Sequence, residues 1–236
     1  MNLRSTIRTA VLLCLLGTTF SLFAQDDCGN EFYPFKVGTI YEMTYFDDRD
    51  TMTSRVQYIV QNIDPGDDGS LDAMVSTMMY DERGKELMDG VFDVYCTKGV
   101  IKLDLSTYFS PASMEAFRDM ELEMSGEGLE IPQFLEEGQH LKDGNMSIKV
   151  GTPGGASMTL TIVITNRTVK GLETITTNAG SFLCYKITQD TELTIGAKRK
   201  QKTIEYYSKG VGLVRTETFD EATGKRTAHA DMTRFN

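Results

Sequence analysis

The chain has 236 residues, with 34 acidic against 24 basic side chains and a formal net charge of −10. Nucleic acid and anionic lipid surfaces attract basic proteins, so this charge makes both poor partners. The length allows a sizeable core, either in one large β domain or in two small ones.

The first residues are typical of a secretory signal peptide. Arg4 and Arg8 lie in a basic segment, an apolar run too short to span a bilayer follows, and small and polar residues extend to Ala24. We predict cleavage after Ala24, which leaves residues 25–236 as the mature chain and removes residues 1–24. No cysteine follows the small residue that lipid attachment requires, and no later segment is apolar enough to form a transmembrane helix. The predicted location is the periplasm or the cell envelope.

Apolar and polar residues alternate through the next part of the chain, as in strands with one buried face. Turn sequences interrupt the alternation, among them DDRD at 47–50, DPGDDGS at 64–70 and DERGK at 81–85. Such short connections join antiparallel neighbours. The residues predicted to share buried strand faces are Tyr41, Met43, Tyr45, Val56, Tyr58, Val60, Leu71, Ala73, Val75, Ile101, Leu103 and Leu105.

The alternation stops at SPASMEAFRDMELEM, for which we predict a helix. Ser110 can cap it and Pro111 suits its first turn. A long acidic connection follows near 125–144 and is the one candidate boundary between two lobes. The apolar residues that recur at near-helical spacing, and that we expect to pack in the core, are Met114, Phe117, Met120 and Met124.

Alternation then resumes and continues to the end of the chain, beginning with ASMTLTIVITNRTV. We count about ten strands and one short helix. The predicted fold is therefore all-β, an antiparallel meander that forms a curved sheet or an open barrel. Two half-barrel lobes joined near 125–144 are the alternative arrangement.

The stretch EYYSKGVGLVRTETF, residues 205–219, looks at first like the start of a nucleotide-binding loop. A phosphate loop needs a helix after its glycines, so that backbone amides and the helix dipole face the anion. Here a strand pattern follows instead. We therefore predict that Gly210 and Gly212 form a turn or a bulge that bends the sheet.

Residues of the types used in catalysis or metal binding are scattered. His140 and His229 are far apart in the sequence and are predicted to be surface residues. Glu136 and Glu137 lack the apolar surroundings that tune a catalytic carboxyl group. The acidic turn at 64–70 departs from a calcium loop, so a hydrated hairpin tip is predicted there, with a weak calcium site as the alternative. We predict no enzymatic activity, no cofactor and no metal.

Three cysteines remain after the predicted cleavage: Cys28, Cys96 and Cys184. One disulfide and one free thiol are the natural outcome in an oxidising compartment. Cys96 and Cys184 are predicted to face inward, and Cys28 precedes the first strand, where a bridge would hold the N-terminal arm. We favour Cys28–Cys96 over Cys28–Cys184, with Cys184 buried and reduced.

Three segments resemble the TapB family of secreted envelope proteins of Bacteroidetes. They are DCGNEFYPFKVGTIYEMTYFD near the start, TITTNAGSFLCYKI at 174–187 and YYSKGVGLVRTE at 206–217. The resemblance implies a β-rich fold and an envelope location, and it supplies no catalytic residues. The chain departs from the family pattern at Tyr207, where a tryptophan is expected.

Two functions remain as hypotheses. The first is a non-catalytic envelope protein that binds a protein partner, for which the family name suggests a tetratricopeptide-repeat protein. The second is a lipocalin-like carrier whose curved sheet encloses an apolar ligand. The carrier hypothesis depends on the methionine and aromatic content of the strands, since methionine suits adaptable apolar pockets. The methionines that lie close together are Met74, Met78, Met79 and Met88.

Overall fold

The computed structural model describes residues 28–103, 120–151 and 157–236. The described part contains thirteen strands and no helix, so no helix within it could cross a membrane. The strands are β1 (Ile40–Asp47), β2 (Met52–Pro65), β3 (Leu71–Asp81), β4 (Glu86–Thr97), β5 (Val100–Leu103), β6 (Glu121–Glu127), β7 (Leu129–Pro132), β8 (Gly144–Gly151), β9 (Ser157–Thr177), β10 (Gly180–Ile195), β11 (Ala197–Ser208), β12 (Gly212–Asp220) and β13 (Arg226–Phe235).

All thirteen strands belong to one antiparallel sheet, in the order β6-β8-β9-β10-β11-β12-β13-β1-β2-β3-β4-β5-β7. The first and last strands of the chain, β1 and β13, are neighbours in the middle of this order. The sheet curves until its two edge strands, β6 and β7, lie close together as a nearly closed barrel. The predicted all-β fold and its antiparallel meander are therefore confirmed.

A buried guanidinium joins the two edges of the sheet. Arg167 of β9 is 1% exposed, and its Nη1 donates hydrogen bonds to the carbonyl oxygens of Glu130 in β7 and Lys142, at 3.0 and 2.7 Å. Its Nε donates to Oε1 of Gln189 in β10 at 3.2 Å. Leu129 of β7 packs in the same apolar cluster as Met146 of β8. These contacts hold β7 against the other end of the sheet.

Most predicted strand faces are buried as expected. Val56, Val60, Ala73 and Val75 are fully or almost fully buried in the main core, and Ile101 joins them from β5. The register is regular over most pairs, with bulges where one strand has an extra residue. The period-two pattern therefore identifies the core-facing side of the early strands.

Two elements differ from the sequence prediction. The predicted connection near 125–144 contains the end of β6 and all of β7, so its interpretation as one long loop is wrong. The predicted helix covers residues 110–124, and its part at 110–119 lies outside the described residues, but Glu121 and the residues after it form β6. Met120, expected in the core, is 42% exposed. The division of the chain into a signal peptide and lobes stays a prediction.

Candidate functional site

A cavity of about 330 Å³ lies inside the curved sheet. Its walls come mainly from the inward faces of β1, β2 and the three strands β11 to β13, with the N-terminal arm at one end. Eight strands leave a barrel interior that side chains fill, and wider barrels leave room. A cavity is therefore a natural consequence of a thirteen-stranded sheet.

The segment 28–37, which we call the arm, covers one end of the cavity. Asn30 donates hydrogen bonds to the carbonyl oxygens of Gly99 and Ile131, at 3.0 and 2.8 Å, and its Oδ1 accepts one from the backbone of Phe32 at 2.9 Å. Phe32 packs edge-on against Tyr185, with ring centroids 5.4 Å apart. The arm is thus fixed by buried polar and aromatic contacts, and Phe32 forms part of the cavity wall.

The Cys28–Cys96 disulfide ties the start of the arm to β4, with 5.8 Å between the two Cα atoms. The predicted pairing is confirmed. Cys184 is buried and free, as predicted, but it does not face the interior. It lies in a small cluster with Tyr206 and Val214 on the opposite face of the sheet from the cavity-lining Tyr207. The expectation that it points inward is therefore wrong, because the register of β10 and β11 places Cys184 on the face of Tyr206 and not on that of Tyr207.

Tyrosines dominate the cavity wall near the arm. Tyr41 and Tyr58 stack with ring centroids 4.6 Å apart, and the hydroxyl of Tyr33 lies 3.3 Å from that of Tyr41. A side-chain hydrogen bond joins Tyr45 to Tyr58. Burial raises the pKa of Tyr41, Tyr45 and Tyr58, so all three hydroxyls stay protonated and can donate or accept hydrogen bonds.

The opposite end of the cavity is lined by Phe46, His229 and threonine hydroxyls. The His229 ring stacks on Phe46 with centroids 4.6 Å apart, and its side chain is only 11% exposed. Its Nδ1 lies 3.6 Å from a carboxylate oxygen of Asp50, which also pairs with Arg226. Burial lowers the pKa of His229; the nearby carboxylates of Asp231 and Asp50 oppose this shift, and the guanidinium groups of Arg226 and Arg215 reinforce it. The prediction of an ordinary surface histidine is therefore wrong for this residue.

One carboxylate, that of Glu205, lies in the cavity wall. Glu205 is 1% exposed, and a side-chain hydrogen bond joins it to Tyr207, which also lines the cavity. Burial raises the pKa of Tyr207 well above its usual value, and the Glu205 charge raises it further. Farther along the same wall, the hydroxyls of Thr191 and Thr203 lie 3.1 Å apart. The cavity therefore combines aromatic surface with several neutral hydrogen-bonding groups.

The other candidate residues lie apart from the cavity. His140 is exposed, with its Nδ1 3.4 Å from the hydroxyl of Thr168, and Glu136 and Glu137 are exposed as expected. Within the described residues, no group of three or more His, Cys, Asp or Glu side chains is placed to hold a metal ion.

Gly210 and Gly212 lie at the turn between β11 and β12, with φ angles of +74° and +99°. Side chains resist such backbone angles, which fits the predicted turn or bulge. Gly212 faces the arm, since a Cβ built on it would lie 3.5 Å from the carbonyl oxygen of Phe32. The turn is also tied to the arm by a hydrogen bond from the Gly210 N–H to the carbonyl oxygen of Glu31, at 2.7 Å.

Of the residues that suggested a cavity, the aromatic side chains of the strands line it and the grouped methionines do not. The four grouped methionines are not in its wall; Met74 is 41% exposed, and Met79 packs in the main core. Met43 and the tyrosines of β1 and β2 form the wall instead. The alternation of these residues indicated which side of each strand faces inward. It did not indicate that a cavity separates the inward faces of strands on opposite sides of the curved sheet.

Comparison with known proteins gives a family and a fold. A DUF3108-like family model matches residues 36–230, which is most of the chain. The chain belongs to this DUF3108-like family. The match starts within the arm and ends inside β13 at residue 230, so it includes the cavity-lining residues of every strand.

Two crystal structures share the fold. One is a Bacteroides fragilis protein described as exported and as having a YmcC-like fold, with a TM-score of 0.75, 18% identity, and coverage of 88% of this chain and 99% of that one. The other is a Parabacteroides distasonis protein described as a lipoprotein, with a TM-score of 0.74, 20% identity, and the same two coverages. No curated protein matches the sequence. At these identities the likeness concerns the fold.

Proposed function

We propose that this DUF3108-like protein is a non-catalytic carrier of the cell envelope that binds a small, largely apolar molecule inside its curved sheet. The observation that carries the proposal is the cavity of about 330 Å³, which falls in the usual size range of ligand sites. Its wall has the expected composition for such a site, namely aromatic surface with a few polar groups.

The envelope location rests on the signal-peptide pattern, and the export and lipoprotein descriptions of the two structural neighbours support it. The resemblance to the TapB family stays a prediction and points to the same compartment. An apolar molecule that crosses an aqueous compartment needs shielding from water, and an interior cavity provides it.

Binding of N-phenyl-1-naphthylamine, a neutral fluorescent probe of two aromatic units, tests the proposal. We expect saturable binding of one molecule per chain. Ala230 is 1% exposed and lines the cavity, so Ala230→Phe should fill part of the space and weaken binding at least about tenfold.

The matched control is Ala197→Phe, which places the same side chain at an exposed position of β11. This variant should bind the probe like the wild type. Thermal unfolding of both variants must first show that they are folded. Equal binding by wild type and folded Ala230→Phe would refute a carrier role for this cavity.

Binding of a protein partner, such as a repeat protein, stays a second prediction. The β9–β10 hairpin offers one place to test it, because Leu172 and Leu183 are 56% and 59% exposed there. Replacing both by threonine should abolish a partner interaction made through this hairpin and leave probe binding in the cavity unchanged.

A further inference from the structure

Uncharged polar side chains line one side of the cavity. Strands β10, β11 and β12 are consecutive in the sheet, and the register pairs Thr191 with Gln201 and Thr203 with Thr218. Successive inward residues of a strand are two positions apart, so Thr216 lies on the same face as Thr218. We call this surface the polar stripe, and its members, all in the cavity wall, are Thr191, Gln201, Thr203, Thr216 and Thr218.

The side that faces the polar stripe is apolar. Strands β4 and β5 lie about half-way round the sheet from β11. Among the described residues, these two strands contribute Phe92 and Leu103 to the wall. Tyr58 and Phe92 pack edge to face, with ring centroids 6.2 Å apart, which extends the aromatic surface toward β2. The cavity therefore has a polar side and an apolar side, in addition to its two ends.

The polar stripe keeps hydrogen-bonding capacity in the interior of the sheet. The hydroxyls of Thr191 and Thr203 lie 3.1 Å apart, and both residues are buried. A hydroxyl has one O–H donor and two lone pairs, so the bond between these two uses only part of what they offer. A wholly apolar ligand would displace water from such groups and give them no replacement partner, which is unfavourable. A ligand with its own hydroxyl or carbonyl group would restore the hydrogen bonds.

From this arrangement we infer that the polar stripe selects ligands that carry an uncharged hydroxyl or carbonyl group on an apolar body. The stripe holds this group against β10 to β12, while the body of the ligand faces Phe92 and Leu103. This inference rests on the proposed carrier function and adds the chemical class and the orientation of the ligand. The specificity-determining residues are Thr203 and Thr218, because their paired positions are the centre of the stripe.

Two uncharged competitors with the same aromatic body test this selection. Naphthalene is wholly apolar, and 1-naphthalenemethanol adds one hydroxyl group to the same rings. Each is titrated against bound N-phenyl-1-naphthylamine on the purified protein. We expect the alcohol to displace the probe at a free concentration at least about threefold lower than naphthalene does, because it gains a hydrogen bond. A purely apolar cavity would give the reverse order, because a hydroxyl favours water over an apolar environment.

The results separate the selection from the carrier function. If Ala230→Phe leaves probe binding unchanged, the carrier function is wrong, and the selection falls with it. If Ala230→Phe weakens probe binding but naphthalene displaces the probe as well as the alcohol does, or better, the carrier function stands and the selection is wrong. Failure of both competitors to displace a probe that is bound in the cavity would also overturn the selection.

Removal of hydroxyls from the polar stripe tests the assignment to Thr203 and Thr218. The double variant Thr203→Val and Thr218→Val keeps the shape of both side chains, so the preference for the alcohol should fall at least about threefold. Thr218→Val alone, which leaves the hydrogen bond between Thr191 and Thr203 intact, should lower the preference by a smaller factor.

The matched control carries Thr159→Val and Thr174→Val, at two exposed positions of β9, and should keep the wild-type preference. Thermal unfolding shows whether each variant is folded. An unchanged preference in the folded double variant, or in folded Thr218→Val if the double variant does not fold, would overturn the role of the two wall threonines.

Discussion

The two ends of the curved sheet are built differently. At the arm end, the Cys28–Cys96 disulfide, the buried amide of Asn30 and the Phe32 ring hold a non-strand segment across the sheet. At the opposite end, hairpin turns such as Asp47–Thr51 carry local hydrogen bonds and exposed ion pairs, including that of Arg49 with Asp47. Buried contacts between distant residues stabilise more than exposed local ones. We therefore expect the arm end to be the rigid one.

The largest effect should come from the disulfide. The double substitution Cys28→Ser and Cys96→Ser opens a link between residues 68 apart in sequence and should lower the free energy of unfolding by about 2–5 kcal/mol. Urea unfolding measures the loss. Reductant should destabilise the wild type and leave the double variant unchanged. Equal stability of the two proteins would show that the arm is held by its other contacts.

Substitution of Asn30 is the next test of the difference in stability between the two ends of the sheet. Asn30→Ala removes three buried hydrogen bonds and leaves the carbonyl oxygens of Gly99 and Ile131 without this donor, so a loss of about 2–3 kcal/mol is expected. Arg226→Ala, at the opposite end, breaks the ion pair with the exposed Asp50 and should cost less than about 1 kcal/mol. Similar losses for the two variants would remove the contrast between the ends.

Substitution of Gly212 tests how much the contact between the arm and the β11–β12 turn contributes to stability. Gly212→Val forces a β-branched residue into a φ of +99° beside Phe32 and Pro34, so the expected loss is about 1–3 kcal/mol by urea unfolding. Gly210→Ala, with open space around its Cβ, should cost only about 1 kcal/mol. A calorimetric titration with nucleotide and magnesium should show no binding. A one-site isotherm would restore the phosphate-loop interpretation.

The smallest expected effect on stability comes from His229 at the opposite end, and it depends on pH. Because burial lowers the pKa of His229, the folded protein binds its proton less readily than the unfolded chain. The contribution of the neutral His229 ring to stability is therefore fully present above the unfolded pKa of about 6.5, and it is lost as the pH falls below that value. His229→Gln should therefore weaken the fall in melting temperature between pH 7.5 and pH 5.5. An identical fall in both proteins would show that His229 takes no part in it.

Much of the fold could be predicted from the sequence, because most strands have one buried face and alternate accordingly. The pattern fails where a bulge shifts its phase. Leu160, Ile162 and Ile164 are buried at even positions of β9, but Asn166 adopts a φ of +56°, after which Arg167 and Val169 are the buried ones. The short strand β7 has too few residues to show a period. Its place in the sheet is fixed by pairing with β5 and by the contact with Arg167, neither of which a local pattern contains.

The site was harder to predict than the fold. Alternation showed that Tyr41 and Tyr45 share an inward face, but the width of the interior depends on how many strands surround it. The burial of His229 follows from its stacking on Phe46 of the neighbouring strand β1, and Glu205 lies inward because of its register in β11. Both depend on pairings between residues that are distant in sequence. The disulfide was predicted because few cysteines were available.

The most direct test of the central claim is a crystal structure of the protein with bound N-phenyl-1-naphthylamine. We expect probe density inside the sheet, between the tyrosines near the arm and Thr218, with the arm in place at its end of the cavity and Glu205 in the wall. Density for the probe only on the outer surface, for instance against Leu172 and Leu183 of the β9–β10 hairpin, with an unfilled interior, would contradict it.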